Sequence, residues 1–171
     1  VAFQPKVTCA NGRLAGFEGL VRWHDPDHGT IFPDQFIPLA EQSGLSDRLT
    51  EIVFDVGLAW FSSGRRSNAS LALNVSASSL GRVELADRLA GICERHAVDP
   101  QFVIIEVTES STMDDQTAAL DLLTRLRLKG FQLSIDDFGV GHSSLVQLAR
   151  MPFSELKIDR SFVISAAHSA E

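Results

Sequence analysis

Cysteine is nearly missing from this 171-residue chain, and the two that occur, Cys9 and Cys93, lie far apart without CxxC or CxxH spacing. That excludes a disulfide scaffold and a structural zinc site, and fits a reducing cytoplasm. No apolar run approaches the roughly 18 residues a membrane-spanning helix needs, and no signal peptide opens the chain. Basic residues are in the minority: 15 Lys and Arg against 22 Asp and Glu leave a formal charge of -7. A protein that grips a polyanion needs the opposite balance, so polymeric nucleic acid is excluded as a partner. A small phosphorylated ligand held through metal ions is compatible with this charge. Glycine-rich phosphate loops, Gly-x-Ser-x-Gly elbows and internal repeats are also absent. What is present suits a single packed domain: 44% hydrophobic and 22% charged residues. The first residue, Val1, already stands in an apolar run, which predicts a sequence cut from something longer.

Short β-branched runs alternate with longer segments of helical period. Strands are expected at Val1 to Val7 and Leu14 to Trp23, joined through Asn11-Gly12 as an antiparallel hairpin. Pro33 opens a helix over Asp34 to Gln42, and Ser46 or Asp47 caps a second that runs to about Ser62. Then follow a strand at Ser70 to Val75, a helix near Val83 to His96, a strand at Gln101 to Val107 and a helix near Asp115 to Lys129. The order closes with a strand at Phe131 to Asp136, a helix from Gly141 to about Arg150, a strand at Glu155 to Ile158 and the start of another helix. Repeated βα units with short links imply an α/β fold with a parallel sheet, doubly wound or closed as a barrel. Six strands are countable, where a closed barrel takes eight.

Side chains alternate across a strand, so their faces can be read from parity. Glu18, Leu20 and Arg22 share one face, opposite Phe17, Gly19, Val21 and Trp23. The apolar set Leu71, Leu73, Val103, Ile105, Leu133 and Ile135 belongs under helices. Opposite it stand Asn74, Glu106, Asp136 and Lys157, each near a strand's C-terminal end, with Asp137 directly after Asp136. Any one of these could be a strand-end polar group reaching solvent. Five successive strands sending such a group to one end indicate a built site, at the end where βα loops form active sites. Clustered carboxylates repel unless cations lie among them, and an all-oxygen donor set selects a hard ion, magnesium or manganese. The cluster His24-Asp25-Pro26-Asp27-His28 reads instead as a proline-centred surface turn, and Arg125, Arg127 and Lys129 as partners of a helix dipole.

These residues stand in segments that resemble the EAL domain family, bacterial phosphodiesterases acting on cyclic di-GMP. The segments are Phe3-Gln4-Pro5, Phe17-Glu18-Gly19-Leu20-Val21-Arg22-Trp23, Phe36-Ile37-Pro38-Leu39-Ala40-Glu41, Leu73-Asn74-Val75-Ser76, Glu106-Val107-Thr108-Glu109-Ser110, Asp136-Asp137-Phe138-Gly139 and Leu156-Lys157-Ile158-Asp159-Arg160-Ser161-Phe162-Val163. The resemblance implies a TIM-like (β/α)8 barrel with an antiparallel first strand, one EAL-type domain over residues 1–171 lacking its last two βα units. It implies metal-dependent hydrolysis of cyclic di-GMP to linear pGpG with two Mg2+ or Mn2+ ions. By motif, Glu18, Asn74, Glu106, Asp136 and Asp137 would ligate metal. Glu18, Asp137 and Lys157 would be catalytic, Lys157 orienting the attacking water. Gln4, Leu20 and Arg22 would contact substrate, and Glu109 would brace the loop after Glu106. The resemblance further implies a cytoplasmic homodimer attached to receiver, sensory or GGDEF domains, with no membrane contact by this domain.

Two departures stand out. Gly19 replaces the family's alanine, an exchange expected to cost about 0.5–1 kcal/mol of strand stability, and Val140 and His142 replace a threonine and a tyrosine. The competing function is an inactive cyclic di-GMP receptor or an interaction scaffold. Retention of the whole set of polar residues favours the enzyme; the lack of two strands favours the alternatives.

Overall fold

The computed structural model describes residues 1–64, 69–109, 112, 116–139 and 150–168. Six strands form one sheet in the order β1 (Ala2–Val7), β2 (Leu14–Leu20), β5 (Ser70–Asn74), β6 (Val103–Thr108), β7 (Gln132–Phe138) and β8 (Glu155–Ile158). The β1–β2 pair is antiparallel and every other pair parallel, as the hairpin and the βα repeats require. Helices α1 (Pro33–Gln42), α2 (Ser46–Ser63), α3 (Leu85–Arg95), α4 (Gln116–Leu128) and α5 (Arg160–His168) fill the connections and follow the last strand. The helix expected over Gly141 to Arg150 lies outside the described residues apart from Arg150, as do Val140 and His142.

Strand parity holds. Leu71, Leu73, Val103, Ile105, Val107 and Leu133 are buried against Phe54, Leu58, Leu85, Leu89, Leu122 and Leu126 of the helices, forming one core on the convex side. The concave side carries the charges, and its curvature can be measured from them. In a flat sheet β1 and β8 would lie about 24 Å apart, five spacings of 4.8 Å. Instead Lys6 of β1 reaches Glu155 of β8 at 2.8 Å, and Lys157 of β8 reaches Glu18 of β2 at 3.3 Å. The sheet is therefore curled into part of a barrel, six strands of the eight that close one.

Three expectations are corrected. Strand β2 ends at Leu20, not Trp23; Trp23–Asp25 (β3) pairs instead with Gly29–Ile31 (β4) as a separate hairpin around the Asp25 to His28 turn. In that turn the Asp25 carboxylate accepts from the Asp27 and His28 backbone amides, a structural task that agrees with reading it as a turn. The second correction concerns α2, which is capped by neither Ser46 nor Asp47: its N-cap is Leu45, and both polar residues lie within its first turn. The third is Gly19. A methyl there would stand 2.5 Å from Cδ2 of Leu73, so glycine makes room for that buried side chain.

Candidate active site

Parallel register sets the site. Asn74 pairs with Glu106 across β5 and β6, while Glu18 pairs with Ala72 and Asp136 with Thr108, so the polar groups step by two residues from β2 to β5 and from β6 to β7 and stay on one face of the sheet. Oxygens of Glu18, Glu106 and Asp136 all lie within 4.8 Å of one another. Lys157 sits among them: its Nζ donates to Asp136 Oδ2 at 2.8 Å, Glu106 Oε2 at 3.0 Å and Glu18 Oε2 at 3.3 Å. Asn74 joins the group by donating from Nδ2 to Glu18 Oε1 at 3.4 Å, which leaves its carbonyl oxygen available to a ligand.

The electrostatics follow from burial. Glu106 is 0% exposed, and burial, then the neighbouring Glu18 charge, push its carboxyl up to about 7 against the opposing pull of Lys157 and Lys6. Its Oε1 has no hydrogen-bond partner. Burial alone would lower the Lys157 ammonium, but the Asp136 hydrogen bond and the Glu106 and Glu18 charges outweigh it, so that it stays firmly protonated.

The remaining expected residues surround this centre. Gln4 is the antiparallel partner of Glu18 and therefore shares its face. Leu20 and Arg22 line a cavity of about 320 Å³ together with Glu41, Asn74, Ser76 and Thr108. Arg22 follows the end of β2, so its position does not come from strand parity; its guanidinium donates to the Val21 carbonyl at 2.7 Å. Asp137 stands apart from the carboxylate trio, exposed and with φ of 55°. Burial, Asp136 and Asp159 raise its carboxyl above the ordinary value. Glu109 is buried, and its Oε2 accepts from the Gly139 amide at 2.8 Å, bracing the backbone after β7.

Sequence reading passed over Lys6 and Glu155, although parity places them on the concave face with Gln4 and Lys157. Lys6 Nζ lies 2.8 Å from Glu155 Oε1 and 3.8 Å from the unpartnered Glu106 Oε1. It also passed over Glu41, which accepts from Ser76 Oγ at 2.5 Å, just beyond Asn74. Among the described residues no helix is long and apolar enough to cross a membrane.

Known proteins share this arrangement of elements. MucR of Pseudomonas aeruginosa, described as a bifunctional diguanylate cyclase/cyclic di-GMP phosphodiesterase, is 43% identical over 173 residues, which cover 99% of this chain and 25% of MucR. RocR of the same organism, described as a cyclic di-GMP phosphodiesterase, is 38% identical over 94% of this chain and 42% of its own length. The chain thus spans less than half of either relative. A solved structure of the PaMucR phosphodiesterase in complex with c-di-GMP superposes with a TM-score of 0.90 at 43% identity, covering 98% of this chain and 69% of that one. Residues 1–171 match the EAL domain from end to end, and with the curled sheet and its strand-end carboxylates in place, the chain belongs to the EAL domain family.

Proposed function

We propose that this chain hydrolyses cyclic di-GMP to linear pGpG and that Glu18, Asn74, Glu106, Asp136 and Asp137 hold two divalent ions, Mg2+ or Mn2+, for that reaction. One observation carries this function: a fully buried carboxylate, Glu106, keeps an oxygen without a hydrogen-bond partner while two further carboxylates lie within 4.8 Å. The Lys6 ammonium, 3.8 Å from that oxygen, is too distant to hydrogen-bond it, so the acceptor is open to a cation at bonding distance, and an all-oxygen set fits a hard divalent ion. Bound there, the ions would lower the pKa of a coordinated water and stabilise the oxygens of an in-line displacement.

The chain's own side chains supply the rest. Lys157, held at 2.8–3.3 Å by three carboxylates, keeps positive charge fixed beside the position of the attacking oxygen and orients it. Arg22 binds a substrate phosphate from the rim of the adjoining cavity, where Leu20 supplies apolar contact, and Gln4 reaches the substrate from the strand beside Glu18. The same reading carries with it a cytoplasmic homodimer whose chain also includes receiver, sensory or GGDEF domains.

The test is direct: incubate the protein with cyclic di-GMP and Mn2+ or Mg2+ and follow pGpG by chromatography, with a chelator control. Product that forms with metal, stops with chelator and vanishes in Glu106→Gln is the expected result. Binding of cyclic di-GMP without any pGpG would refute hydrolysis and leave a receptor.

A further inference from the structure

We infer that Lys6 and Glu155 form a latch across the concave face of the sheet that positions Lys157 and Glu106, which makes Lys6 a positioning residue for the hydrolysis; the inference rests on the phosphodiesterase reading above.

Strand β8 has four residues, and its register with β7 shifts between Ile135 and Phe138. This short strand holds Lys157 within 3.3 Å of three carboxylates carried by three other strands.

The anchorage lies two residues earlier on the same face. Glu155 Oε1 accepts from Lys6 Nζ at 2.8 Å and from Ser134 Oγ at 3.2 Å, so one carboxylate ties β8 to its neighbour β7 and to β1 at the opposite edge of the sheet. Lys6 stands between two acids, with Glu106 Oε1 at 3.8 Å on its other side. Charges therefore alternate down the concave face from Glu155 through Lys6 and Glu106 to Lys157. Without the Lys6 ammonium, Glu155 and Glu106 would be left without the cation between them, and β8 would lose its tie to β1. A shift of about 1 Å in a positioned group is enough to cost roughly 100-fold in rate.

Lys6→Met and Glu155→Gln test the latch, with Lys6→Arg as the conservative control. Two readouts are taken: steady-state kcat and KM for cyclic di-GMP with Mn2+, and amide hydrogen exchange of residues 155–158 in the metal-free protein. The expected result is a kcat lower by about 10- to 100-fold with KM within about twofold, because Gln4, Leu20 and Arg22 are untouched. Exchange across 155–158 rises while that of β5 and β6 is unchanged. Lys6→Arg recovers most of both, and the double variant is no worse than the poorer single one, as for residues acting as a unit. Parent-like kcat, a KM change as large as the kcat change, or unaltered exchange at β8 each overturn the latch. If either variant fails to fold, the other still decides. A parent protein that never yields pGpG overturns the phosphodiesterase reading instead, while the exchange measurement still decides whether Lys6 holds β8.

Discussion

Replacing Lys157 by methionine keeps the aliphatic stem and removes only the charge, so it measures what the ammonium does for the metal-free protein. Three carboxylate oxygens lie 2.8, 3.0 and 3.3 Å from Nζ, and one of them belongs to the fully buried Glu106. Breaking a buried ion pair by removing one partner costs about 3–5 kcal/mol. Lys157, Glu18 and Asp136 are each about one-fifth exposed, so water softens the loss and the lower end, about 3 kcal/mol, is expected. For a chain of this length that corresponds to a fall in Tm of roughly 6–12 °C. The deficit depends on pH. The Glu106 carboxyl rises from an ordinary 4.5 to about 7 on folding, so the folded state binds more protons between those values and its stability declines as pH rises through them. Losing Lys157 moves that window upward. The deficit should therefore be larger at pH 8, where Glu106 is charged in the parent, than at pH 5.5, where it is neutral with or without Lys157. Urea unfolding at both pH values, with chelator present, reads it. A deficit under about 1 kcal/mol at the higher pH, or one equal at both, would refute the reasoning.

Two further outcomes concern the strands around the site. Gly19→Ala should destabilise by about 1–3 kcal/mol through overpacking rather than stabilise the strand, because Leu73 Cδ2 lies 2.5 Å from the new methyl and is also close to Gly57 on its other side; a raised unfolding midpoint would contradict this. Arg22→Ala should weaken cyclic di-GMP binding by about 1.5–3 kcal/mol, the worth of a hydrogen bond to a charged group, and calorimetry that finds unchanged affinity returns Arg22 to a purely structural role at the end of β2.

Alternation made the site legible. Because a strand's side chains have period two, a polar residue among β-branched neighbours announces its own face, and Asn74, Glu106, Asp136 and Lys157 are legible that way in the sequence. The same rule does not extend to Arg22, since β2 ends at Leu20 and the chain leaves the sheet for the β3–β4 hairpin, yet Arg22 still lines one cavity with Leu20. Distance in sequence hid the rest. Lys6 and Glu155 are separated by 149 positions, and nothing local says that the two edges of the sheet curl toward each other. Gly19 was misjudged for a related reason: its fitness depends on Leu73 of another strand, not on the backbone propensity of its own.

Asp47 shows the same limit, since a helix-start acid looked like a cap and is in fact a tether. Its carboxylate accepts from Ser79 Oγ at 2.8 Å, Arg88 Nη2 at 2.7 Å and Arg82 Nη1 at 3.2 Å, fastening the first turn of α2 to the 3-10 turn Ala77–Ser79 just beyond Asn74. Burial raises its pKa, but the hydrogen bonds from Arg88 and Ser79 and the two arginine charges outweigh that and hold it below the ordinary 3.8. Both arginines are substantially exposed, so Asp47→Asn should cost about 1–2 kcal/mol at pH 7, less than a buried charged hydrogen bond would. A folded-state pKa below the unfolded one means that this contribution is complete above about pH 3.8 and is lost as pH falls through the folded value. The gap between parent and variant unfolding midpoints should therefore be full at pH 7 and close progressively in acid below about pH 4. A gap that stays constant across that range would show that Asp47 acts through shape alone, and that the turn behind Asn74 is held by Glu41 and Ser76 without it.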